Sequence, residues 1–137
     1  LSKLSGPFLD RCDIITRIHA TSSDDLKSEP LKHQSERFYC YVLRASIAQF
    51  KRNGVGIYNS SLQLDKLKEC TAPRALDHVY KYKDTSSRFS SRKLVRCLRV
   101  ARTIADLKSK EKTQQRDIVQ ALDFVNFSIV DTYVSDR

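Results

Sequence analysis

The 137-residue sequence predicts a mainly helical domain. Apolar residues recur at the spacing of one helix face within residues 32–52, 90–107 and 113–125. Residues that favour helix ends, such as serine, proline and glycine, stand at the borders of these stretches. Hydrophobic residues make up 40% of the chain, which is ordinary for a globular protein. A chain of this length is therefore expected to form one domain around a single core.

The first patterned segment is the exception, because it predicts a strand over residues 9–20. Its run from Asp13 to Ala20 reads D-I-I-T-R-I-H-A and is rich in β-branched residues. Residues 22–30 are polar and end in a proline, so they predict a loop. Residues 127–134 also have strand character and are a candidate to cover the edge of the first strand.

A long helix is predicted next, over residues 32–52. Four of its side chains fall in one row at helical spacing: Phe38, Val42, Ala45 and Gln49. The sequence Gly54-Val55-Gly56 ends the helix, since glycine readily adopts the left-handed conformation found past a helix end.

Four shorter helices are predicted after the long one. The first covers residues 62–70, and the second begins at Pro73, which suits the first turn of a helix. The third begins with Ser90 or Ser91 as its N-cap. Its buried face is predicted to hold Leu94, Cys97, Leu98, Ala101, Ile104 and Ala105. The last helix is predicted to have Thr113 as its cap and to bury Ile118, Leu122 and Val125.

The third of these helices also carries a row of arginines. Arg92, Arg96 and Arg99 stand at i, i+4 and i+7 and are predicted to share one exposed edge. The formal charge of +9 favours an anionic partner such as nucleic acid or nucleotide phosphates. One interpretation is therefore a basic helical module that binds nucleic acid and has no enzymatic activity. Cations and aromatic residues alternate just before the helix, as in single-strand binders: Lys81, Lys83, Arg88, Tyr80, Tyr82 and Phe89.

The composition excludes several kinds of site. The three glycines, at positions 6, 54 and 56, do not stand at the offsets from each other and from a lysine that a phosphate-binding loop of the type G-x-x-x-x-G-K-[ST] needs, so the chain by itself is not expected to hydrolyse ATP. The four cysteines lie about thirty residues apart and the three histidines are scattered, so no metal site is expected. No apolar run approaches the ~20 residues of a membrane span. Free thiols fit a reducing compartment, and a cytoplasmic location is predicted.

Two separated motifs carry a resemblance to a known family. The first is the run V-A-R-T-I-A-D-L at Val100 to Leu107, with Ser90-Ser91-Arg92 opening the same helix. The second is S-G-P-F-L-D-R-C-D at Ser5 to Asp13. Both resemble motifs in the last domain of the magnesium-chelatase-like AAA+ ATPases, in particular the bacterial competence protein M group. Weaker agreement is found at Val42, Ala45, Gln49, Arg52, Asn59, Leu62, Cys70, Ala121 and Leu122. The sequence departs from the family pattern at Ser46 and at residues 123–125.

This resemblance implies a helical AAA+ lid domain of about four helices, preceded by a long helix and by a remnant strand of the AAA+ α/β core. Residues 1–20 are then the end of that core, and residues 21–58 are a linker and the long insert helix. Residues 59–127 are the lid and residues 128–137 a tail. We therefore expect the chain to be the C-terminal part of a longer ATPase, whose nucleotide-binding half precedes Leu1.

The resemblance also implies roles for five arginines. Arg11 resembles the arginine finger, which stabilises the charge of a γ-phosphate held by the neighbouring subunit. The alternative for this residue is a surface arginine paired with a nearby aspartate. Arg92 resembles the second sensor, a lid arginine that contacts nucleotide, and its alternative is a solvated helix face. Arg96, Arg99 and Arg102 are expected to contact DNA or other subunits, or to take part in helix packing.

For the full-length protein the resemblance implies ATP hydrolysis with ATP and Mg²⁺ as cofactors, neither of them bound by this fragment alone. The implied partners are the other subunits of a homo-oligomeric ring, expected to be a hexamer, and DNA, with no membrane. The implied function is DNA remodelling, by helicase or branch-migration activity, in competence or recombination. The nucleic-acid-binding module described above and an assembly domain without activity are the alternatives.

Overall fold

A computed structural model describes residues 11–16, 18, 20–27, 32–87 and 89–125. Within these ranges the helices are α1 Ser23–Lys27, α2 Gln34–Asn53, α3 Leu64–Glu69, α4 Pro73–Thr85, α5 Ser91–Leu107 and α6 Gln115–Val125, and a 3₁₀ turn, Asn59–Ser61, lies between α2 and α3. The prediction of a mainly helical protein is confirmed, with the long helix and the four shorter helices that follow it.

Helix α5 is the centre of the fold. It packs against α2, α3, α6 and the 3₁₀ turn, while α4 packs against α6. The residues predicted for its apolar face are all buried: Leu94, Cys97, Leu98, Ala101, Ile104 and Ala105. They meet Val79 of α4 and the buried face of α6, which holds Ile118, Leu122 and Val125. The apolar spacing in the sequence therefore identified the core, whose burial is the main favourable term in folding.

Three of the predicted helix ends are confirmed. The Ser90 hydroxyl accepts a hydrogen bond from the Lys93 amide at 3.2 Å, so it caps α5. Pro73 occupies the first turn of α4, where a missing N–H removes no helical hydrogen bond. Gly54 follows α2 with φ of 105°, a conformation in which a side chain would be strained.

The predicted cap of the last helix is wrong. The buried Thr113 hydroxyl has no hydrogen-bond partner within the part of the chain that the structure describes. The cap is instead supplied from inside the helix, where the Asp117 carboxylate accepts from the Gln114 amide at 3.0 Å. The Thr113 backbone has another role: its amide donates to Cys70 and its carbonyl accepts from Ala72, at 2.9 and 3.0 Å. Thr113 thus joins the turn before α4 to the turn before α6.

The strand predicted over residues 9–20 is not formed by the described residues 11–16, 18 and 20. A strand is held by hydrogen bonds to a neighbouring strand, and no sheet occurs among the residues that the structure describes. Without that support Ile14 and Ile18 lie 58% and 89% exposed. The candidate pairing segment, residues 127–134, lies outside the described residues. The loop predicted over residues 22–30 contains the short helix α1.

The predicted row of side chains on α2 divides into two halves. Ala45 and Gln49 are buried against the rest of the domain. Phe38 and Val42, about two turns and one turn before Ala45, are 59% and 58% exposed. Only the second half of the long helix is therefore held by tertiary packing among the described residues.

The contrast between Cys97 and Cys40 gives a test of the packing around α5. Burial raises the pKa of the Cys97 thiol to about 12, whereas Cys40 is exposed on α2. Because the thiolate is the reactive form, iodoacetamide at neutral pH should alkylate Cys40 readily and spare Cys97. Peptide-resolved mass spectrometry measures both rates, and Cys97 should react once urea unfolds the domain. Equal rates in the native protein would contradict this packing.

Candidate functional site

Helix α5 carries four arginines, and the structure separates them sharply. Arg92 is exposed, Arg99 is half-buried, and Arg96 and Arg102 are 4% and 0% exposed. The predicted exposed edge of Arg92, Arg96 and Arg99 is therefore wrong, because the helix turns Arg96 into the domain. Hydrophobic spacing alone does not distinguish these cases, since a buried guanidinium needs acceptors that lie elsewhere in the chain.

Arg102 is enclosed by acceptors from its own domain. One terminal nitrogen, Nη1, donates to the carbonyl oxygens of Cys70 at 3.2 Å and Glu111 at 2.9 Å. The other, Nη2, donates to the Lys110 carbonyl at 2.6 Å and to Asp106 at 2.9 Å. The structure thus uses Arg102 in packing within the domain, with its side chain 0% exposed.

Arg99 is also used within the domain. Its Nε and Nη2 atoms donate to the carbonyl oxygen of Leu62, at 3.2 and 2.9 Å. This carbonyl follows the 3₁₀ turn, so the fork of Arg99 attaches that turn to α5. Arg99 is half-buried, so only part of its side chain is exposed to a partner.

The Asp106 carboxylate, near the end of α5, lies between two guanidiniums. Arg52 of α2 donates to both of its oxygens, at 2.7 and 2.9 Å, and Arg102 donates from the preceding helical turn. The Asn59 side chain adds a third donor at 2.8 Å, and its backbone amide donates to Gln49 at 2.9 Å. These residues join α2, the 3₁₀ turn and α5 into one buried polar network.

The charges in this network favour its ionised form. Burial raises the pKa of Asp106, but hydrogen bonds from Arg52 and Asn59 and the positive charge of Arg102 outweigh burial and leave the pKa below its ordinary value. Burial likewise lowers the pKa of Arg52, and the hydrogen bond and negative charge of Asp106 outweigh it, so that pKa ends above its ordinary value. Two positive groups share one negative group here, so the network carries excess positive charge.

The sequence contained a signal for this network that periodicity did not reveal. Gln49, Arg52 and Asn59 were among the positions that agree with the family, and all three take part in it. Asp106 stands four residues after Arg102, the spacing of neighbours on a helix surface. The link between Arg52 and Asp106, 54 residues apart, is a tertiary contact that a single sequence does not display.

A second buried carboxylate, Asp117 of α6, accepts hydrogen bonds from two lysines of the α5–α6 loop. Lys110 donates to both of its oxygens at 2.9 Å, and Lys108 donates to one at 3.1 Å. Burial raises the pKa of Asp117, but the hydrogen bonds from Lys110, the Gln114 amide and Lys108 outweigh burial and hold it below its ordinary value. The loop between the two helices is therefore attached to the helix that follows it.

An open cleft of about 620 Å³ lies beside this loop. It is lined by Lys110, Gln114, Gln115, Arg116 and Val119. Lys112, also exposed, stands in the same loop. The cleft thus presents Arg116 and two glutamine side chains at the start of α6, whereas Lys110 and the Gln114 amide donate to Asp117.

Arg11 and Arg92, the two residues predicted to act on nucleotide, are both exposed. Arg92 lies in the first turn of α5, which contains no acidic residue. The segment after Arg11 is held against the same helix, because Arg96 donates to the Cys12 carbonyl and its Nε lies 3.5 Å from Asp13. Exposed guanidiniums fit phosphate oxygens. No group of three or more acidic, histidine or cysteine side chains that could hold a metal ion occurs among the residues described.

The three aromatic residues of the alternative interpretation differ in how far they are buried. Phe89 is 4% exposed, and its ring meets Tyr82 edge-on, with ring centres 5.2 Å apart. Tyr80 also packs against the core. The Phe89 ring is therefore not available to stack on a base, whereas the Tyr80 and Tyr82 rings are only partly buried. Arg88 lies outside the described residues.

The fold and the arginine positions define a helical domain whose central helix presents one exposed arginine at its start. A family model described as magnesium chelatase, subunit ChlI C-terminal, matches residues 32–125, well over half of the chain. The chain therefore belongs to this family of C-terminal domains, and with it to the AAA+ proteins. A comparison with curated proteins finds no match. Over the described part of the chain, no helix is long and apolar enough to cross a membrane.

Replacing Asp106 by asparagine should destabilise the domain and change its response to acid. The substitution leaves Arg52 and Arg102 without their carboxylate, so we expect a loss of roughly 3 kcal/mol or more in the free energy of unfolding. In the wild type, the depressed pKa of Asp106 contributes stability above the unfolded pKa of about 4, and this contribution is lost as the pH falls through the folded pKa. Urea unfolding at several pH values measures both effects.

The matched control is Asp123→Asn, an exposed carboxylate on α6. It should change stability by no more than about 0.5 kcal/mol. The acid-dependent loss between about pH 5 and the folded pKa should be smaller in Asp106→Asn than in the wild type. A variant with wild-type stability and an unchanged pH profile would show that Asp106 is not needed by the fold.

Proposed function

We propose that this domain supplies arginines to the nucleotide site of an AAA+ ring ATPase. Arg11 acts as the finger that reaches a γ-phosphate held by the neighbouring subunit, and Arg92 acts as the lid arginine that senses nucleotide. ATP would supply the phosphoryl group, and Mg²⁺ would be its metal ion. Both would be bound by the half of the full-length protein that carries the phosphate loop. Proteins of this family are typically oligomeric, which is what a finger acting between subunits requires.

The observation that carries this proposal is the position of Arg92. It is the exposed member of the four arginines on α5, while its three neighbours along the helix contact groups inside the chain. Its place in the first turn puts it beside N–H groups that favour anions, and no acidic residue in that turn competes for its charge. These properties suit a side chain that meets a phosphate from outside its own domain.

The chemical role of Arg11 follows from phosphoryl transfer. The transition state spreads negative charge over the equatorial oxygens of the transferred group, and a fixed planar cation stabilises that charge. Arg11 is exposed, and the residues after it are held against α5. The Asp13 carboxylate lies 3.5 Å from Arg96 Nε, so Asp13 forms an ion pair with a residue other than Arg11.

In the full-length ATPase, Arg11→Ala should leave nucleotide binding nearly unchanged and lower the turnover rate by a factor of roughly 10³ to 10⁵, because the finger acts on the transition state in the neighbouring subunit. Arg92→Ala should weaken the nucleotide-dependent movement of the lid and lose turnover through that coupling. Calorimetry measures nucleotide binding, and a phosphate-release assay measures turnover.

The decisive measurement mixes Arg11→Ala subunits with subunits whose phosphate loop is disabled. Some interfaces of a mixed ring then pair an intact loop with an intact finger, so part of the activity should return. If the two variants assemble together and the mixture stays inactive, Arg11 is a surface arginine and not a finger acting between subunits.

A DNA-remodelling role, in competence or recombination, is the further proposal for the whole ring, and the cleft beside the α5–α6 loop is the observation that favours a DNA contact in this domain. The sequence offered Arg96, Arg99 and Arg102 for contacts with DNA or other subunits or for helix packing, and the fold uses all three internally. Two exposed cations, Lys112 of the loop and Arg116 in the first turn of α6, stand beside an open cleft with amide groups in its wall. Phosphates of a nucleic-acid backbone are the anions that such a surface fits.

Removing those two charges should reduce the salt dependence of DNA binding. Each phosphate contact on a duplex contributes about 0.9 to the slope of log affinity against log salt concentration, so Lys112→Gln with Arg116→Gln should flatten it by up to about two units. The matched control is Arg37→Gln with Arg44→Gln, which removes the same charge from the exposed part of α2. Fluorescence anisotropy at several salt concentrations measures the slope, and equal slopes for both double variants would remove the cleft from any DNA surface.

A further inference from the structure

Arg96 has a buried position and a distant partner. Its side chain lies inside the domain, 5% exposed, on the central helix α5. Its Nη2 donates to the backbone carbonyl of Cys12, 84 residues earlier in the chain, and its Nε lies 3.5 Å from the Asp13 carboxylate. One guanidinium therefore holds both residues that directly follow Arg11.

A contact of this kind resists opening. A buried guanidinium that loses its acceptors leaves an unpaired charge in the interior, which is much more costly than losing a contact at the surface. A backbone carbonyl as acceptor also fixes the main chain itself and not only a side chain. A second attachment lies three residues on, where the Ile15 amide donates to the carbonyl of Phe124 in α6 at 3.3 Å.

The two arginines proposed to act on nucleotide both stand close to this attachment along the chain. Arg92 precedes Arg96 by one turn of α5, about 6 Å along the helix axis. Arg11 is bonded directly to Cys12, so its Cα lies about 3.8 Å from that of the residue whose carbonyl Arg96 holds. Arg11 and Arg92 are exposed, whereas Arg96 is buried.

From this arrangement we infer that Arg96 is a positioning residue that fixes the segment carrying Arg11 to the lid helix carrying Arg92. The two exposed arginines then move as one rigid unit, so a movement of the lid changes the position of the finger as well. The finger role of Arg11 in this inference rests on the proposed function, whereas the attachment of its segment to α5 is a contact within this chain. Arg96 touches no reacting atom and acts through Arg11.

The native cysteines provide a direct test of the attachment in this chain. Cys12 is half-buried, so the rate at which a thiol reagent labels it reports how often its segment opens. Arg96→Gln should raise the labelling rate of Cys12 by roughly tenfold, the scale of one lost charge-assisted hydrogen bond. Cys70, also half-buried but in the turn before α4, should keep its rate, and Cys97 should stay protected if the variant is folded.

The matched control is Arg99→Gln, three residues further along the same helix. It removes an equal charge whose hydrogen bonds go to Leu62 and not to the segment after Arg11. We expect its Cys12 rate to equal that of the wild type. If Arg96→Gln leaves the Cys12 rate unchanged while Cys97 stays protected, the attachment does not exist and the inference is overturned.

The positioning role is tested in the full-length ATPase. Arg96→Gln should lower kcat and leave KM nearly unchanged, and Arg96→Lys, which keeps the charge, should recover part of kcat. Faster labelling of Cys12 with an unchanged kcat would show an attachment that positions nothing, which also overturns the inference. An active Arg11→Ala ring would instead refute the proposed function, whatever the labelling of Cys12 shows, so the two failures are distinguishable.

Discussion

The carboxylate of Asp106 is the group on which the arrangement of the domain depends most directly. Its two oxygens receive Arg52 from α2, Asn59 from the 3₁₀ turn and Arg102 from α5 itself. Arg102 in turn holds the carbonyl oxygens of the two turns that Thr113 joins. Apolar burial explains why the helices pack, but this shared charge fixes where the long helix and the connecting turns lie. Each guanidinium could be buried only because the carboxylate offsets its charge.

Local features were predictable from the sequence and tertiary ones were not. The spacing of apolar residues identified the buried faces of α5 and α6, and Ser90 and Pro73 marked helix starts, because these signals act within a few residues. The strand over residues 9–20 failed because β-branched residues form a strand only where a neighbouring strand accepts their hydrogen bonds. The cap at Thr113 failed because the Asp117 carboxylate took its place.

The candidate site was predictable in part, for a related reason. The sequence correctly placed Arg92, Arg96 and Arg99 on one helix. A row at helical spacing does not show whether a guanidinium contacts water or a carbonyl oxygen. Arg96 and Arg102 are buried against acceptors that lie elsewhere in the chain, at residues 12, 70, 110 and 111 among others. The charges buried among the described residues cancel, since Arg96 and Arg102 are matched in number by Asp106 and Asp117, so their burial leaves the formal charge of +9 unchanged.

The unequal burial along α2 has a consequence for how the domain opens. The helix spans 20 residues, yet among the described residues only Ala45 and Gln49 are buried on it. A helical segment of about ten residues without tertiary contacts is marginal in water, so the first half is stabilised chiefly by continuity with the second. Its amide protons therefore exchange with solvent through fraying from the N-terminal end. Those beside Arg52 exchange only when the buried network separates, so one helix contains two regions of different local stability.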